Sequence, residues 1–254
     1  MQKRCLWCLE AEPLVSFSKK AHTIPMSLGG QNYNNNVCDS CNEYFGVQKE
    51  GNIFSIEEAL KETFNISRRR FLTGFQPKRQ VGRFKSKFFE IKERKGKYRL
   101  VIKPSFKFNP IFQKNLCRSF KRGLYKMFFE ELNRQEGEGF EEKYNFIRKF
   151  ARYNELDFPV FYFQRSVGLI ALTKREAETP FLMFGRMKYL YSDSIFVEIE
   201  FLGHVFGFPK QNFTLDDFQT YHTKSMELKT NFFSGMIPIE KLTDIDFTLT
   251  ILND

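Results

Sequence analysis

Four of the five cysteines in this 254-residue chain form two C-x-x-C pairs, a spacing that suits metal ligation. Cys5 and Cys8 precede Cys38 and Cys41 by 29 intervening residues. Two such pairs supply four thiolates, the ligand set that a closed, tetrahedral structural Zn²⁺ prefers. We therefore expect one zinc site in a minidomain that is too small to fold on apolar burial alone. Four unrelated buried cysteines, or a redox-active pair, are the alternatives.

The stretch between the pairs, "HTIPMSLGGQNYNNNV", contains one of the three histidines of the chain. We expect His22 to end a strand where the chain turns into the Gly29-Gly30 loop, and Asn42 to open a helix, "CNEYFGVQ". An imidazole accepts protons near neutral pH, and an amide carbonyl suits a hard, oxygen-bound cation such as Mg²⁺. This layout predicts a loop-end histidine facing an amide on a helix, with a metal ion and a phosphate between them.

Positive charge is concentrated in one segment of the chain. Residues 65–107 contain fifteen Lys or Arg and two acidic residues, a net charge of +13, although the whole chain carries +10. Phe and Tyr interleave with these charges, which is typical of a surface that binds a polyanion. A cationic surface that serves solubility is the alternative. The candidate phosphate contacts are Arg68, Arg69, Arg70, Lys78, Arg79, Arg83, Lys85 and Lys87.

The elements that must position these residues predict an α+β fold with three regions. The regions are 1–50, which holds the cysteines; 51–110, a basic helix and hairpin; and 111–254, a larger α+β domain. Ser55 and Glu58 form a capping box for a short helix, and Lys95-Gly96 marks a hairpin turn. Apolar residues recur every four positions from Phe112 to Gly137, which predicts a helix of roughly six turns.

A second helix is predicted over about Glu141–Tyr153, and runs such as "FPVFYF" and "SIFVEIEFLG" predict short strands. Cys117 falls on the apolar face of the long helix, where a core role is expected. His204 and His222 belong to no motif and receive no role. The start, "MQKRCLWCLEAEP", lacks the apolar region of a secretory signal, and no membrane-spanning segment is visible, so we expect a cytoplasmic protein.

Taken in order, C-x-x-C, H-x-I-P-x-S-L-G-G and N-x-V-C-x-x-C-N resemble the HNH nuclease family in its four-cysteine, zinc-containing branch. The resemblance covers residues 5 to about 46 and implies a ββα-metal fold for the N-terminal module. It implies that His22 is the general base that deprotonates water, and that Asn42 ligates a catalytic Mg²⁺ or Mn²⁺. Asn36 or Asn35 would hold the imidazole in its productive orientation, and the asparagine run leaves that choice open.

The family resemblance also implies a substrate, most simply the phosphodiester bonds of double-stranded DNA. By analogy with restriction-type and homing enzymes, region 111–254 would serve target recognition in defence against foreign DNA. The oligomeric state is open, and a dimer is compatible with the sequence.

One position departs from the family pattern. Many members carry an acidic residue or a histidine immediately before the catalytic histidine, whereas this chain has Ala21. Asn42 would then hold the cation with waters and substrate phosphate, or Asp39 or Glu43 would assist, or catalysis would be weakened. Two other functions therefore stay open: a catalytically inactive, zinc-stapled nucleic-acid binding protein, and an interaction or sensor protein.

Overall fold

The first elements of the computed structural model form a small ββα unit. The model describes residues 2–48, 54–72, 86–94, 97–166, 183–184, 195–227, 233–248 and 250. Strands β1 (Ala21–His22) and β2 (Tyr33–Asn34) pair in an antiparallel hairpin. Helix α1 (Asp39–Gly46) follows directly after Cys38, three residues earlier than the sequence predicts for the helix that carries Asn42.

The second region contains two helices and a β-hairpin. Helix α2 (Ile56–Thr63) begins at the predicted cap, because Ser55 Oγ accepts a hydrogen bond from the Glu58 backbone N–H at 3.1 Å. Helix α3 (Asn65–Leu72) follows it. Strands β3 (Phe89–Arg94) and β4 (Lys97–Ile102) pair antiparallel with Arg94 opposite Lys97, which confirms the predicted strands, while the turn residues 95 and 96 lie outside the described part of the chain.

Helix α4 (Pro110–Glu136) is the longest element and confirms the prediction from apolar periodicity. Asn109 caps its start by accepting a hydrogen bond from the Phe112 N–H at 2.9 Å. Gly137 ends the helix with a φ of 77°, a left-handed conformation that glycine adopts without steric cost. Cys117 is 1% exposed on this helix, as expected of a core residue.

The chain after α4 differs from the single helix predicted over Glu141–Tyr153. Short turns of 3-10 helix at Glu138–Phe140 and Glu142–Tyr144 lead into α5 (Asn145–Ile147) and then into a wide π-helical turn, Arg148–Arg152. Both arginines of this turn donate hydrogen bonds to the N-terminal unit, to Leu6 O and to Cys41 Sγ. These contacts are tertiary, so local periodicity does not encode them.

A five-stranded antiparallel sheet forms the rest of the described fold. Its strands, in sheet order β6-β7-β8-β5-β9, are β5 (Phe161–Arg165), β6 (Met183–Phe184), β7 (Phe196–Phe201), β8 (His204–Pro209) and β9 (Phe233–Pro238). Helix α6 (Leu215–Glu227) lies between β8 and β9 in the chain. The α+β class is confirmed, and none of the described helices is long and apolar enough to cross a bilayer.

One hydrophobic cluster runs through all three predicted regions. It includes Trp7 and Phe45 from the N-terminal unit, Leu60 from α2, Phe129 from α4 and Ile199 from the sheet. The ring of Trp7 lies 5.1 Å from that of Phe129, measured between centroids. The cysteine-containing unit therefore shares its core with α4, and the predicted boundaries at 50 and 110 stay predictions.

Candidate active site

The four paired cysteines come together and could form a zinc site. Their Sγ atoms all lie within 4.8 Å of one another, and Cys8 Sγ is 3.8 Å from Cys38 Sγ. Cys5, Cys38 and Cys41 are buried and Cys8 is half-buried. Such a closed set of four thiols, with its ligands fixed in space, matches the structural rather than the catalytic type of zinc site.

Hydrogen bonds around the cluster favour a thiolate at Cys5, whereas burial raises the pKa of Cys8 and the hydrogen bond to Cys5 raises that of Cys41. The backbone N–H groups of Trp7 and Cys38 donate to Cys5 Sγ, each at 3.4 Å. A hydrogen bond from Cys41 lowers the pKa of Cys5 to about 4. Arg152 Nε donates to Cys41 Sγ at 3.4 Å and stacks over the ring of Tyr44. A cation and N–H donors directed at sulfur stabilise the charged form that a metal ion requires.

A short hairpin carries His22 in the segment between the two C-x-x-C pairs. Ala21 pairs with Asn34 and His22 with Tyr33, and the ring centroids of His22 and Tyr33 are 6.5 Å apart. The connecting loop contains a 3-10 turn that ends at Gly29, whose φ is 91°. Gly30 packs so closely on the Ile24 carbonyl that a Cβ atom there would overlap it. The Gly-Gly pair is thus required by backbone geometry at both positions.

Lys126 of α4 contacts the backbone at the end of β1. Its Nζ donates to His22 O at 2.6 Å and to Thr23 O at 3.3 Å, and it forms ion pairs with Glu130 at 3.1 Å and Glu57 at 3.8 Å. Thr23 Oγ1 in turn donates to a carboxylate oxygen of Glu131. The two hydrogen bonds of Lys126 use the main-chain oxygens of His22 and Thr23, so they fix the end of β1 without engaging the imidazole.

The environment of His22 favours a neutral imidazole. Partial burial lowers its pKa below the ordinary value of 6.5, a hydrogen bond to the Lys20 backbone raises it, and the charge of Lys126 lowers it again. The carboxylate of Glu57 opposes this by raising the pKa, and the net shift is downward. A neutral imidazole at physiological pH is the form that can accept a proton. Sequence reasoning missed Lys126 and Glu57, because nothing in the N-terminal motif refers to α2 or α4.

Among the three consecutive asparagines, Asn34 has the most extensive contacts. It is 3% exposed, donates to Glu130 O at 2.8 Å, and accepts from Asn36 N at 2.8 Å and from Asn133 Nδ2 at 3.3 Å. Asn36 Nδ2 donates to Arg4 O at 3.3 Å, and Asn35 is exposed. Among the described residues no hydrogen bond joins the His22 imidazole to Asn35 or Asn36, so their orienting role stays a prediction.

Asn42 lies in α1 next to Cys41 and is half-buried. Its N–H donates to Cys38 O at 2.9 Å, and its side-chain amide has no hydrogen bond to any residue in the described part of the chain. Asp39 accepts four hydrogen bonds from the Ser16–Lys19 loop. Glu43 pairs with Lys19 at 3.4 Å. Both carboxylates considered as substitutes for the residue at Ala21 are therefore engaged with that loop.

The basic segment is described only in part. Arg68 is 3% exposed, and burial lowers its pKa to about 10. A buried guanidinium does not meet phosphate without movement, so the burial of Arg68 argues against its predicted role as a phosphate contact. Lys87 is exposed and pairs with Glu58 at 3.0 Å. The side chains of Arg69 and Arg70 lie outside the described residues, as do Lys78, Arg79, Arg83 and Lys85.

Residues 5–53 match the HNH endonuclease family, which confirms the resemblance that the motifs suggest. The matched span ends before α2 and contains the four cysteines, the β1–β2 hairpin and α1. Comparison with curated proteins and with solved structures gives no match. The family assignment therefore rests on the N-terminal fifth of the chain.

Proposed function

We propose that this chain, with its HNH endonuclease module at residues 5–53, is a metal-dependent endonuclease that hydrolyses phosphodiester bonds of DNA. The observation that carries the proposal is the lowered pKa of His22 on a strand that Lys126 fixes. Within the matched span, its half-buried imidazole has a lowered pKa on a strand whose backbone is fixed by Lys126. A neutral imidazole on a fixed strand meets two requirements of general-base catalysis.

His22 accepts the proton of the attacking water, and Asn42 supplies an oxygen ligand to Mg²⁺ or Mn²⁺. A divalent cation, when bound, stabilises negative charge on the phosphoryl group and on the leaving oxygen. The amide of Asn42 fits such an ion, because it is half-buried and its side chain makes no hydrogen bond elsewhere in the described residues. Asn36 or Asn35 orients the imidazole.

Zn²⁺ in the Cys5, Cys8, Cys38 and Cys41 cluster has a structural role in this proposal. The four ligands leave no open position for substrate, so the ion fixes the two knuckles that flank the hairpin. The cluster and Lys126 then constrain the module through separate contacts. This division separates the ion that maintains the fold from the ion that takes part in hydrolysis.

The substrate is double-stranded DNA, bound through the positive segment 65–107. Fifteen basic residues in that segment supply the sequence-independent attraction to phosphate, with Arg69, Arg70, Lys78, Arg79, Arg83, Lys85 and Lys87 as the contacts. Residues 111–254 contribute target recognition, and the protein acts in the cytoplasm in restriction or defence against foreign DNA, by analogy with related enzymes. A dimer is compatible with cutting both strands.

Ala21 favours a second candidate, a zinc-stapled protein that binds nucleic acid without cutting it. Its methyl group is 1% exposed and lies where many family members place a metal ligand. The carboxylates of Asp39 and Glu43 are engaged with the Ser16–Lys19 loop rather than free. Under this alternative the module would keep its cysteine cluster and its affinity for DNA, and would lack metal-dependent hydrolysis.

Cleavage of supercoiled plasmid with Mg²⁺ or Mn²⁺ tests the proposal. His22→Ala should lower the rate by about 10²- to 10⁴-fold, the usual contribution of a positioned general base, with zinc content and DNA affinity unchanged. Asn42→Ala should lower the rate and raise the metal concentration that is needed. His222→Ala is the matched control, because His222 is an exposed histidine of α6. DNA binding without cleavage by the wild-type chain would establish the second candidate instead.

A further inference from the structure

A cavity of about 800 Å³ opens beside the amino-terminal half of α4, away from the HNH module. Its other walls are the segment before β5 and the segment after β9. Small-molecule sites in proteins measure about 300–1,000 Å³, so the size suits a ligand. No lining residue belongs to the cysteine cluster or the β1–β2 hairpin. Gln113 in the wall and Lys126 under β1 are separated along α4 by roughly 20 Å.

Aromatic rings form part of the lining. Phe158 is fixed by packing on Phe146 and Phe150, with ring centroids 4.7 and 5.8 Å away. Phe108 packs edge-on against Phe106 at 5.2 Å but leaves 66% of its own surface exposed. An exposed ring at a cavity edge, held in place by a buried neighbour, presents a surface on which a planar ring can stack.

The lining is positively charged. Arg118 and Lys121 share one carboxylate, that of Asp157, at 3.4 and 2.8 Å. Lys114 and Lys241 also line the cavity, and neither has an ion-pair partner within the described residues. Glu240 is the other acidic residue of the lining. Four cations against two carboxylates leave a net charge of +2, at the amino-terminal end of a 27-residue helix whose dipole also attracts anions.

We propose that this cavity binds a nucleotide. The phosphate lies on Lys114 and Lys241 at the start of α4, and the base stacks on Phe108. A planar ring and an anion are combined in nucleotides, and each has a matching feature in the lining. The nucleotide is either free or part of a nucleic-acid strand, and the two sources share this chemistry.

Isothermal titration calorimetry on the full chain tests the proposal with four kinds of probe. These are inorganic phosphate, the four nucleoside monophosphates, the corresponding nucleosides, and single-stranded DNA of about ten nucleotides. His22→Ala serves as the background for the DNA, so that hydrolysis does not interfere. At least one monophosphate or the DNA should bind, and the exposed double variant Lys114→Met/Lys241→Met should weaken that binding at least about tenfold. Lys224→Met, which removes an exposed charge outside the cavity, should change nothing.

Phe108→Ala separates a nucleotide site from a plain anion site, because it removes an exposed ring at the cavity edge. It should weaken nucleotide binding and leave the affinity for inorganic phosphate unchanged, with folding checked by thermal unfolding. Cavity-dependent binding of a monophosphate identifies a free nucleotide as the ligand, and such binding of the DNA alone identifies a strand. Binding of phosphate as tight as that of every nucleotide, no binding of any probe, or binding indifferent to the double variant would overturn the proposal. None of these outcomes depends on whether the HNH module cleaves DNA.

Discussion

Lys126 Nζ lies 2.6 Å from the carbonyl oxygen of His22, so a buried cation of α4 holds the strand that carries the proposed base. The same ammonium group pairs with Glu130 at 3.1 Å, and both side chains are almost completely buried. A buried pair of this kind connects the stability of the core to the geometry of the proposed active site.

Lys126→Met should lower the free energy of unfolding by about 3–5 kcal/mol, because it leaves the Glu130 carboxyl buried without its cation. Cleavage should fall as well, although the imidazole is still present, since β1 loses its anchor. Urea unfolding and plasmid cleavage measure the two effects. The double variant Lys126→Met/Glu130→Gln should recover stability but not activity. Recovery of both would mean that the contact with His22 O has no positioning role.

The stability loss in Lys126→Met should be larger at pH 8 than at pH 5. Burial raises the pKa of Glu130 from 4.5 to about 7, against the opposing effects of Lys126 and Trp7. A carboxyl whose pKa is raised on folding favours the folded state while protonated, and this contribution is lost as the pH rises from about 4.5 through 7. Without Lys126 the ionised form is disfavoured further. An equal loss at both pH values would contradict this assignment.

The acid limb of the cleavage rate should lie below pH 6.5, because burial lowers the pKa of His22. Glu57→Gln removes a negative charge that raises this pKa, so the titration midpoint of the imidazole should move to lower pH. NMR titration of His22 without divalent cations measures the midpoint directly. Glu43→Gln is the control, since Glu43 is exposed, pairs with Lys19 and is not among the charges that most affect the pKa of His22. A midpoint above 6.5 would remove the electrostatic argument for His22.

Trp7 should report directly on the cysteine cluster. It is the only tryptophan of the chain, lies between Cys5 and Cys8, and is 0% exposed. One zinc ion should bind per chain, and removing it with a chelator, or making Cys38→Ser, should shift Trp7 fluorescence to longer wavelength because the knuckle around it loosens. Cys117→Ser, a cysteine outside the cluster, should retain the metal. If protein purified without a chelator contained no zinc, the proposed structural role of zinc would be excluded.

Gly30→Ala should destabilise the protein by about 1–3 kcal/mol, since the new Cβ overlaps the Ile24 carbonyl and the loop after His22 must open. Gly46→Ala is the matched comparison, because its Cβ would meet only Glu57 Oε2 at 3.7 Å at the end of α1. Alanine is favoured over glycine within helices, so this variant should be neutral or slightly more stable. Thermal unfolding compares the two, and equal behaviour would contradict the packing at Gly30.

Features determined by neighbours in the sequence could be predicted, and features determined by distant contacts could not. The C-x-x-C pairs, the Ser55 cap and the four-residue period of α4 are local signals, and each has its counterpart in the structure. Asn34, in contrast, is distinguished from Asn35 and Asn36 by Glu130 and Asn133, about a hundred residues away. Arg68 reads as one of three exposed arginines, and only tertiary packing buries it.

Lys126 shows why only part of the candidate site could be predicted from the sequence. A lysine among the apolar residues of a helix normally marks the solvent side, whereas this one is 1% exposed on the face that meets β1. Its burial depends on Glu130 one turn later and on Glu57 in α2. The motif could identify the candidate base, but Lys126, which holds the strand of that base, lies outside the matched span.

The contact between Trp7 and Glu130 has a consequence for anyone who transplants this module into a chimeric protein. Trp7 Nε1 donates to Glu130 Oε1 at 2.9 Å, and the indole packs on Phe129. A graft of residues 1–50 alone would carry its cysteines but would leave the indole N–H without an acceptor and its ring without a neighbour. The Arg148–Arg152 turn also donates hydrogen bonds to Leu6 O and Cys41 Sγ. The smallest portable cassette therefore includes α4 and this turn, so joining the HNH module to another domain requires a cut after Arg152 rather than before α2.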